Sequence, residues 1–491
     1  MTLTRRRTVA RLQGLSRSPR TMPLLNERIP AAEFAASPLP VWVRLIDGVC
    51  LLMVAVTILL IVGDGVRLEL GSLRISIRSA LRVGAWAVVL IAIRHALYRA
   101  PALPSRVLAW TRASARREDA WAVARIVLAT RIPPILIGLL AVATIGLGED
   151  ARPGAYADPW LNLPARWDAL WYSDIAALGY RWDGDWTQQQ NVVFFPAFPL
   201  ASRVVARLLG LHTIYAGWLI SLAAFAGAMV LFGRLARTSV NDRDASDAAW
   251  LLATYPFAIY FSAPYSESLF LLAMCGLFLS VHEQRFGRAA LWGLLAGLTR
   301  PNGWLLSLPL VVFALERRPR PSNMRDWLRL AIAAVAPVTG MLLFTWFLHL
   351  RFGDGFAWLR GQTAWGREFR SLDSLAAERI SYMRQYGVTG YLTDFPTDAL
   401  NTGAAMLALA VLIPVSRRLG PAYGVLLAVL VLPPLLVGGT LSFGRLTSIL
   451  FPLFIWLTTV VPVRHRAAVM IVFAALQGFA ATLFFTWRPL F

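Results

Sequence analysis

The sequence predicts an all-α, polytopic integral membrane protein, and three observations carry that prediction. Of 491 residues, 57% are hydrophobic and only 15% charged, where a soluble chain of this size carries roughly a quarter charged residues. Apolar runs of about 20 residues recur along the chain, each long enough to cross the hydrocarbon core as a helix. The net charge of +21 comes from basic residues that are all arginine, and these gather in short loops between the apolar runs. That is a positive-inside distribution, so the charge reports topology and anionic headgroups of the bilayer, and no nucleic-acid partner is expected. The absence of lysine beside abundant Ala, Leu and Gly points to a GC-rich genome and a bacterial plasma membrane.

Each element follows in order. Residues 1–40 are polar and carry Arg5, Arg6, Arg7, Arg11, Arg17, Arg20 and Arg28. They are too long for the n-region of a cleaved signal peptide, and the run after them is long enough to span, so they read as a disordered basic cytoplasmic tail before an uncleaved first helix. Apolar runs near 41–62 and 79–98 make a two-helix N-terminal extension, residues 41–120. The core, 121–491, continues with runs near 122–146, 213–235, 247–263, 265–283, 288–299, 303–315, 326–350, 397–415, 420–437, 445–463 and 466–485. That makes about thirteen spans. Cys50 and Cys275 both lie inside apolar runs, which suits free thiols and neither a disulfide nor a metal site.

With the tail inside, the cytoplasmic loops are 99–117, 234–247, 283–288, 316–325, 417–421 and 464–466, all arginine-rich, and the C-terminus is outside. The opposite face includes 148–191, with seven acidic residues against three Arg. Two external loops are long, 148–212 and 351–396. The first ends in FFPAFPLASRVVARLLG, whose helical apolar spacing is broken by Arg203 and Arg207, as in a helix lying at the membrane surface. The second contains Arg and Trp without a clear pattern.

The chemistry concentrates in the first external loop. Residues 158–200 hold Asp158, Asp168, Asp174, Asp183 and Asp185 among five tryptophans. A carboxylate can take a hydroxyl proton and an aromatic face can stack on sugar C–H surfaces, so the mixture suits hydroxyl-rich ligands. Asp168, in RWDALWY between Trp167 and Trp171, reads either as a helix N-cap or as a base whose aromatic flanks desolvate it. Asp174, Asp183 and Asp185 read as surface or capping groups. Glu267, in SAPYSESLF, begins a span on the external side, where a carboxylate is either functional or simply favoured by the helix dipole. Arg300, in GLTRPNGW, breaks an apolar hairpin beside Asn302. Arg445, in LSFGRLTSILFPLF, opens a span on the same side. A lone Arg at a helix end is usually an interfacial snorkeller; two at one depth, beside an Asp loop, suit a lipid phosphate. Arg125 and Arg131 read as structural, and His282, His349 and His465 lack metal-ligand spacing.

Taken in order, RWDALWYSDIAALGY, NVVFFPAFPL, APYSESLFLL, GLLAGLTRPNGWLLSLPL and SFGRLTSILFPLF resemble the PIG-V-like mannosyltransferases, relatives of the second mannosyltransferase of GPI-anchor synthesis with a GT-C glycosyltransferase fold. The resemblance runs from Ala122 to Leu457. It implies a polyprenyl-phosphate sugar donor, mannose first among the sugars, used on the non-cytoplasmic face with inversion. It implies Asp168 as general base, with Asp174 close by as the competing candidate. It further implies Arg445 and Arg300 as donor-phosphate ligands, and Trp167, Trp171, Tyr172, Glu267 and Asn302 as substrate contacts. A monophosphate leaving group flanked by arginines calls for no metal or cofactor. The acceptor, a glycan or glycolipid, does not carry over, because bacteria generally lack GPI anchors.

Two other functions compete. A lipid-linked-sugar flippase should carry charges mid-span on several helices and matched broken helices in two halves, and the sequence has neither. A non-catalytic scaffold needs no Asp/Arg set. Within the transferase reading, arabinose or glucose on the same lipid is the alternative sugar.

Overall fold

The computed structural model describes residues 117–490, apart from 157 and 317–322, and before them residue 40, helical positions between 42 and 57, and residues 66–70, 73–77 and 79–98. The expected tail, and most of the arginine-rich loops 99–117 and 316–325, lie outside the described residues. The chain divides into two compact units. The smaller, 1–57 with 79–109, contains α1 (Ala80–Leu97), whose Ser79 cap accepts from the Arg82 N–H at 3.3 Å. Arg94 on α1 is fully buried and grips Asp47 with Nε at 2.8 Å and Nη2 at 3.3 Å. A charge this deep is tolerated because both ends of the pair are matched.

The larger unit, 58–78 with 110–491, opens with a two-stranded antiparallel hairpin, β1 (Val66–Leu70) and β2 (Leu73–Ile77). It then becomes all helix: α2 (Arg117–Thr144), α3 (Asp168–Leu178), α4 (Ala197–Leu209), α5 (Thr213–Ala236), α6 (Asp242–Thr254), α7 (Glu267–His282), α8 (Phe286–Thr299), α9 (Ser307–Glu316) and α10 (Met324–Phe352). It closes with α11 (Ala357–Arg360), α12 (Leu372–Asp394), α13 (Pro396–Leu419), α14 (Pro421–Leu436), α15 (Phe443–Thr447), α16 (Phe451–Val460) and α17 (Val463–Phe485). The chain is an integral membrane protein.

Among the described residues five helices are long and apolar enough to span: Ala120–Thr144 within α2, α5, α10, α13 and α17. A sixth span would be a bent pair, the 3₁₀ turn Pro256–Ser262 with α7, which meet at 100°. Several runs that read as single spans are therefore broken. The run 247–263 is split because Pro256 offers no N–H and its ring clashes with the preceding turn, ending α6 at Thr254. The run 445–463 is divided between α15 and α16, with Pro452 in the first turn of α16. Pro301 holds the residue before it, Arg300, extended (φ −145°, ψ 151°) and so terminates α8. These breaks matter, because each delivers a charged residue to one place.

Close helix contact is made by small residues. A Cβ on Gly297 of α8 would lie 2.0 Å from the Pro337 carbonyl oxygen, and one on Gly340 of α10 would lie 2.5 Å from that of Leu294. Hydrogen there lets two backbones touch, the usual device of membrane helix pairs. The main core, built from α5, α6, α7, α13, α14 and α16, includes Phe225, Phe232, Phe270, Phe278, Phe451 and Phe454 at full burial.

Candidate active site

α3 begins at Asp168, directly after Trp167, which adopts φ 51°, ψ −122°. L side chains avoid that region, at a cost of order 1–3 kcal/mol, and such strain persists only where surrounding structure enforces it. Here the enforcement is visible. The Asp168 N–H donates to Tyr265 Oη at 3.0 Å, Tyr265 Oη donates to the Arg166 carbonyl at 3.2 Å, and Tyr172 Oη donates to Ser266 Oγ at 2.8 Å. Arg166, almost wholly buried, donates through Nε to the Phe485 carbonyl at 2.7 Å. The start of α3 is thus bolted to the bend before α7 and to the end of α17.

The same bend delivers Glu267, fully buried in the first turn of α7, where the helix dipole favours a carboxylate. Arg300, held extended after α8, donates through Nη1 to Glu267 Oε1 at 2.5 Å. Arg445 on α15 donates through Nε to the same oxygen and through Nη1 to Asp168 Oδ2 at 2.5 Å. Its guanidinium also lies over the rings of Tyr265 and Tyr260, 4.6 and 5.4 Å from their centroids, a cation–π cradle. α15 is seated by Asn401 Oδ1, which accepts from the Gly444 N–H at 2.7 Å, and by the Tyr255–Thr447 hydroxyl pair at 2.8 Å. Four residues from four segments therefore form one chain of charge: Arg300, Glu267, Arg445, Asp168.

This chain floors a cavity of about 410 Å³. Trp167, Asp168, Trp171, Tyr172, Arg300 and Arg445 all line it. Glu267 lies beneath the lining rather than in it, with Oε2 buried and unpaired, and Asn302, whose Oδ1 is likewise buried and unpaired, sits outside the lining. The Trp167 indole donates through Nε1 to the Phe484 carbonyl at 3.3 Å, and its ring packs on Trp487 at 4.8 Å. What faces the Asp168 carboxylate is a guanidinium.

Asp174 is elsewhere. It pairs with Arg181, accepts from Asn191 Nδ2 at 3.4 Å and takes no part in the cavity lining. Asp183 and Asp185 organise a tight turn, accepting from Gln190 and from Thr187; the Thr187 bonds pull the Asp185 carboxyl below its ordinary range. Arg131 is structural, donating to Ser262 Oγ at 3.1 Å and the Ala253 carbonyl at 2.5 Å.

The segment after α10 supplies a wall that sequence reasoning missed: Gln362, Trp365 and Arg367. Trp365 meets Trp171 edge-on at 5.3 Å and Phe194 at 5.2 Å, making an aromatic corner above Asp168's helix. The signal available was WLRGQTAWGR, aromatics interleaved with Arg as in the first loop. Three of the four non-glycine residues with positive φ among the described residues, Trp167, Ser442 and Trp487, also line the cavity. Strain of this kind concentrates at functional sites.

Residues 153–320 match the family model "Mannosyltransferase (PIG-V)". The chain is 28% identical over 262 residues to GPI mannosyltransferase 2 of Drosophila pseudoobscura pseudoobscura, covering 46% of this chain and 56% of that protein. It is 30% identical over 145 residues to GPI mannosyltransferase 2 of Schizosaccharomyces pombe, covering 28% and 29%. The chain thus spans little more than half the length of the first relative and less of the second. Among solved structures, ArnT from Cupriavidus metallidurans bound to undecaprenyl phosphate aligns with TM-score 0.40 and 13% identity, over 72% of this chain and 74% of that one. Oligosaccharyltransferase AglB from Archaeoglobus fulgidus, in complex with an inhibitory peptide and a dolichol-phosphate, aligns with TM-score 0.33 and 12% identity, over 74% and 55%. Over residues 153–320, the stretch that contributes Asp168, Glu267 and Arg300, this chain carries the sequence pattern of the PIG-V mannosyltransferase family.

Proposed function

We propose that the protein is a GT-C-type membrane mannosyltransferase that moves mannose from a polyprenyl-phosphate donor to a hydroxyl of a glycan or glycolipid on the external face of the plasma membrane, without metal or cofactor. The single observation that supports this most is the meeting of Asp168 with Arg445 and Arg300 in one aromatic-lined cavity. Arg445 holds Oδ2 of Asp168 and leaves Oδ1 for substrate. As the acceptor oxygen bonds to the anomeric carbon, its proton passes to Asp168; the bond from that carbon to the phosphate oxygen breaks on the opposite face, and the configuration inverts. The electron pair leaves on the lipid phosphate, in the positive field of Arg445 and Arg300. Trp167, Trp171 and Tyr172 supply aromatic surface for the sugar, while Glu267 holds the arginine floor from below. A cytoplasmic tail of 1–40, an extension of 41–120 and a catalytic core of 121–491 belong to the same reading. Membranes carrying the protein should transfer label from polyprenyl-phosphate mannose to an extractable acceptor. Asp168→Asn should insert normally and lower that transfer by about two orders of magnitude, while Asp174→Asn should be mild. Full activity in Asp168→Asn would remove the assigned base.

A further inference from the structure

Charge pairing inside the cavity separates its arginines into two kinds. Arg300 and Arg445 share Glu267, and Arg445 also holds Asp168, so these two cations already face two carboxylates at hydrogen-bond distance. Moving Arg445 onto another anion would strip Asp168 of its partner. Arg367 is different. It lines the same cavity, half-buried, and its guanidinium donates through Nη1 to the Leu441 carbonyl at 3.2 Å; no carboxylate pairs with it among the described residues. A backbone carbonyl orients a guanidinium without pairing its charge, and Asp168, already held by Arg445, acts on Arg367 only through space and less strongly than Arg445 does. Burial, and then the positive charge of Arg445, bring Arg367 down to about 10, so it remains charged at neutral pH in a site already rich in cations. Its position is enforced from behind: a Cβ on Gly438 would lie 2.5 Å from Arg367 Nη1, so glycine there lets the guanidinium tuck against the backbone. An incoming anion gains most where positive charge is half-buried, fixed and unmatched, and a planar guanidinium suits two oxygens of a phosphate.

We propose that Arg367, on the second external loop, is the principal ligand of the donor's phosphate monoester, with Arg445 and Arg300 reserved for positioning Asp168 and Glu267. The inference rests on the transferase reading above and names which residue takes its donor. The consequence is a division of labour between loops: the first provides the base, the second the anion site. The phosphate could arrive on a lipid or free in solution, and the two are separated by probe.

The test is equilibrium binding to the full-length protein in nanodiscs with three probes: undecaprenyl phosphate, undecaprenol and inorganic phosphate. Wild type is expected to prefer undecaprenyl phosphate over both others. Arg367→Gln should weaken undecaprenyl phosphate at least tenfold, leave undecaprenol unchanged and leave the melting temperature of the unliganded protein unchanged, because no ion pair is lost. Arg367→Lys should recover part of the affinity. Gly438→Ala, which displaces the guanidinium while keeping its charge, should weaken the same probe to a smaller degree. In transfer assays Arg367→Gln should raise donor KM more than it lowers kcat. Wild-type affinity for undecaprenyl phosphate in Arg367→Gln would overturn the proposal while leaving the transferase reading intact. Equal binding of undecaprenol by wild type would instead overturn the phosphate-donor reading itself, and inorganic phosphate binding as tightly as the lipid would overturn a lipid ligand.

Discussion

At the scale of single residues, Arg445 does two things at once. It anchors Asp168, which is partly exposed to the cavity, and it neutralises Glu267, which is fully buried. Removing one partner of a buried pair is costly, about 3–5 kcal/mol, because a charge is left unmatched. Arg300 still faces Glu267, so the loss in Arg445→Ala should fall at or below that range. Arg445→Ala should therefore lower both melting temperature and transfer. Arg445→Lys should recover most of the melting temperature measured in detergent, because a cation stays beside Glu267, and leave transfer low, because an ammonium cannot reproduce a fork that reaches both Glu267 and Asp168. If Arg445→Lys recovered full transfer as well, the fork geometry of Arg445 would be no part of the site. Glu267, Arg300 and Arg445 were legible in the sequence because charges are rare in apolar runs and each stands beside a serine, proline or glycine, and Asp168 was legible because it stands in a tryptophan-rich polar loop. Their pairing was not legible. Asp168 and Arg445 are separated by 277 positions, and no local pattern reports a contact of that range. Arg367 was passed over because its loop has neither helical period nor clustered carboxylates to mark it.

At the scale of elements, helix breaks place the chemistry and glycines hold the breaks in register. α8 delivers Arg300, and its distance from α10 is set by Gly297 and Gly340. Gly297→Leu would force side-chain atoms onto the Pro337 carbonyl. Overpacking of this kind costs typically 1–3 kcal/mol, and the variant should melt lower in detergent with donor KM raised, since Arg300 shifts with its helix. An unchanged melting temperature would mean that α8 and α10 can part without cost. Hydropathy located the apolar runs well: α2, α5, α10, α13 and α17 each fall on an expected span. It overestimated their continuity, because windowed hydropathy weighs proline at 256 or 452 as one residue in twenty, whereas each stands in a first helical turn and cannot continue a helix that comes before it. The hairpin of β1 and β2 lay between two expected spans, and its strict apolar–polar alternation, VRLEL and LRISI, was legible but passed over beside the long apolar runs.

At the scale of the whole molecule, arginine distribution sets the sidedness on which the lipid-donor mechanism depends. Gln189 lines the cavity, whereas Ser239 follows α5 in an arginine-bearing loop. With the native cysteines replaced, a cysteine at 189 should react with an impermeant thiol reagent in intact cells, and one at 239 only after permeabilisation. The opposite pattern would put the cavity in the cytoplasm, where nucleotide sugars are available, and would remove the need for a lipid donor. The order of biosynthesis follows from the charge chain too. Asp168, Glu267 and Arg300 emerge from the ribosome in that order, yet Arg367, Ser442, Arg445 and Trp487, which complete the walls, follow only later. A nascent chain halted before α15 holds Asp168 and its helix but lacks the guanidinium that orients it. On the proposed transferase reading, a product terminated before α15 is inert towards the donor pool it is embedded in.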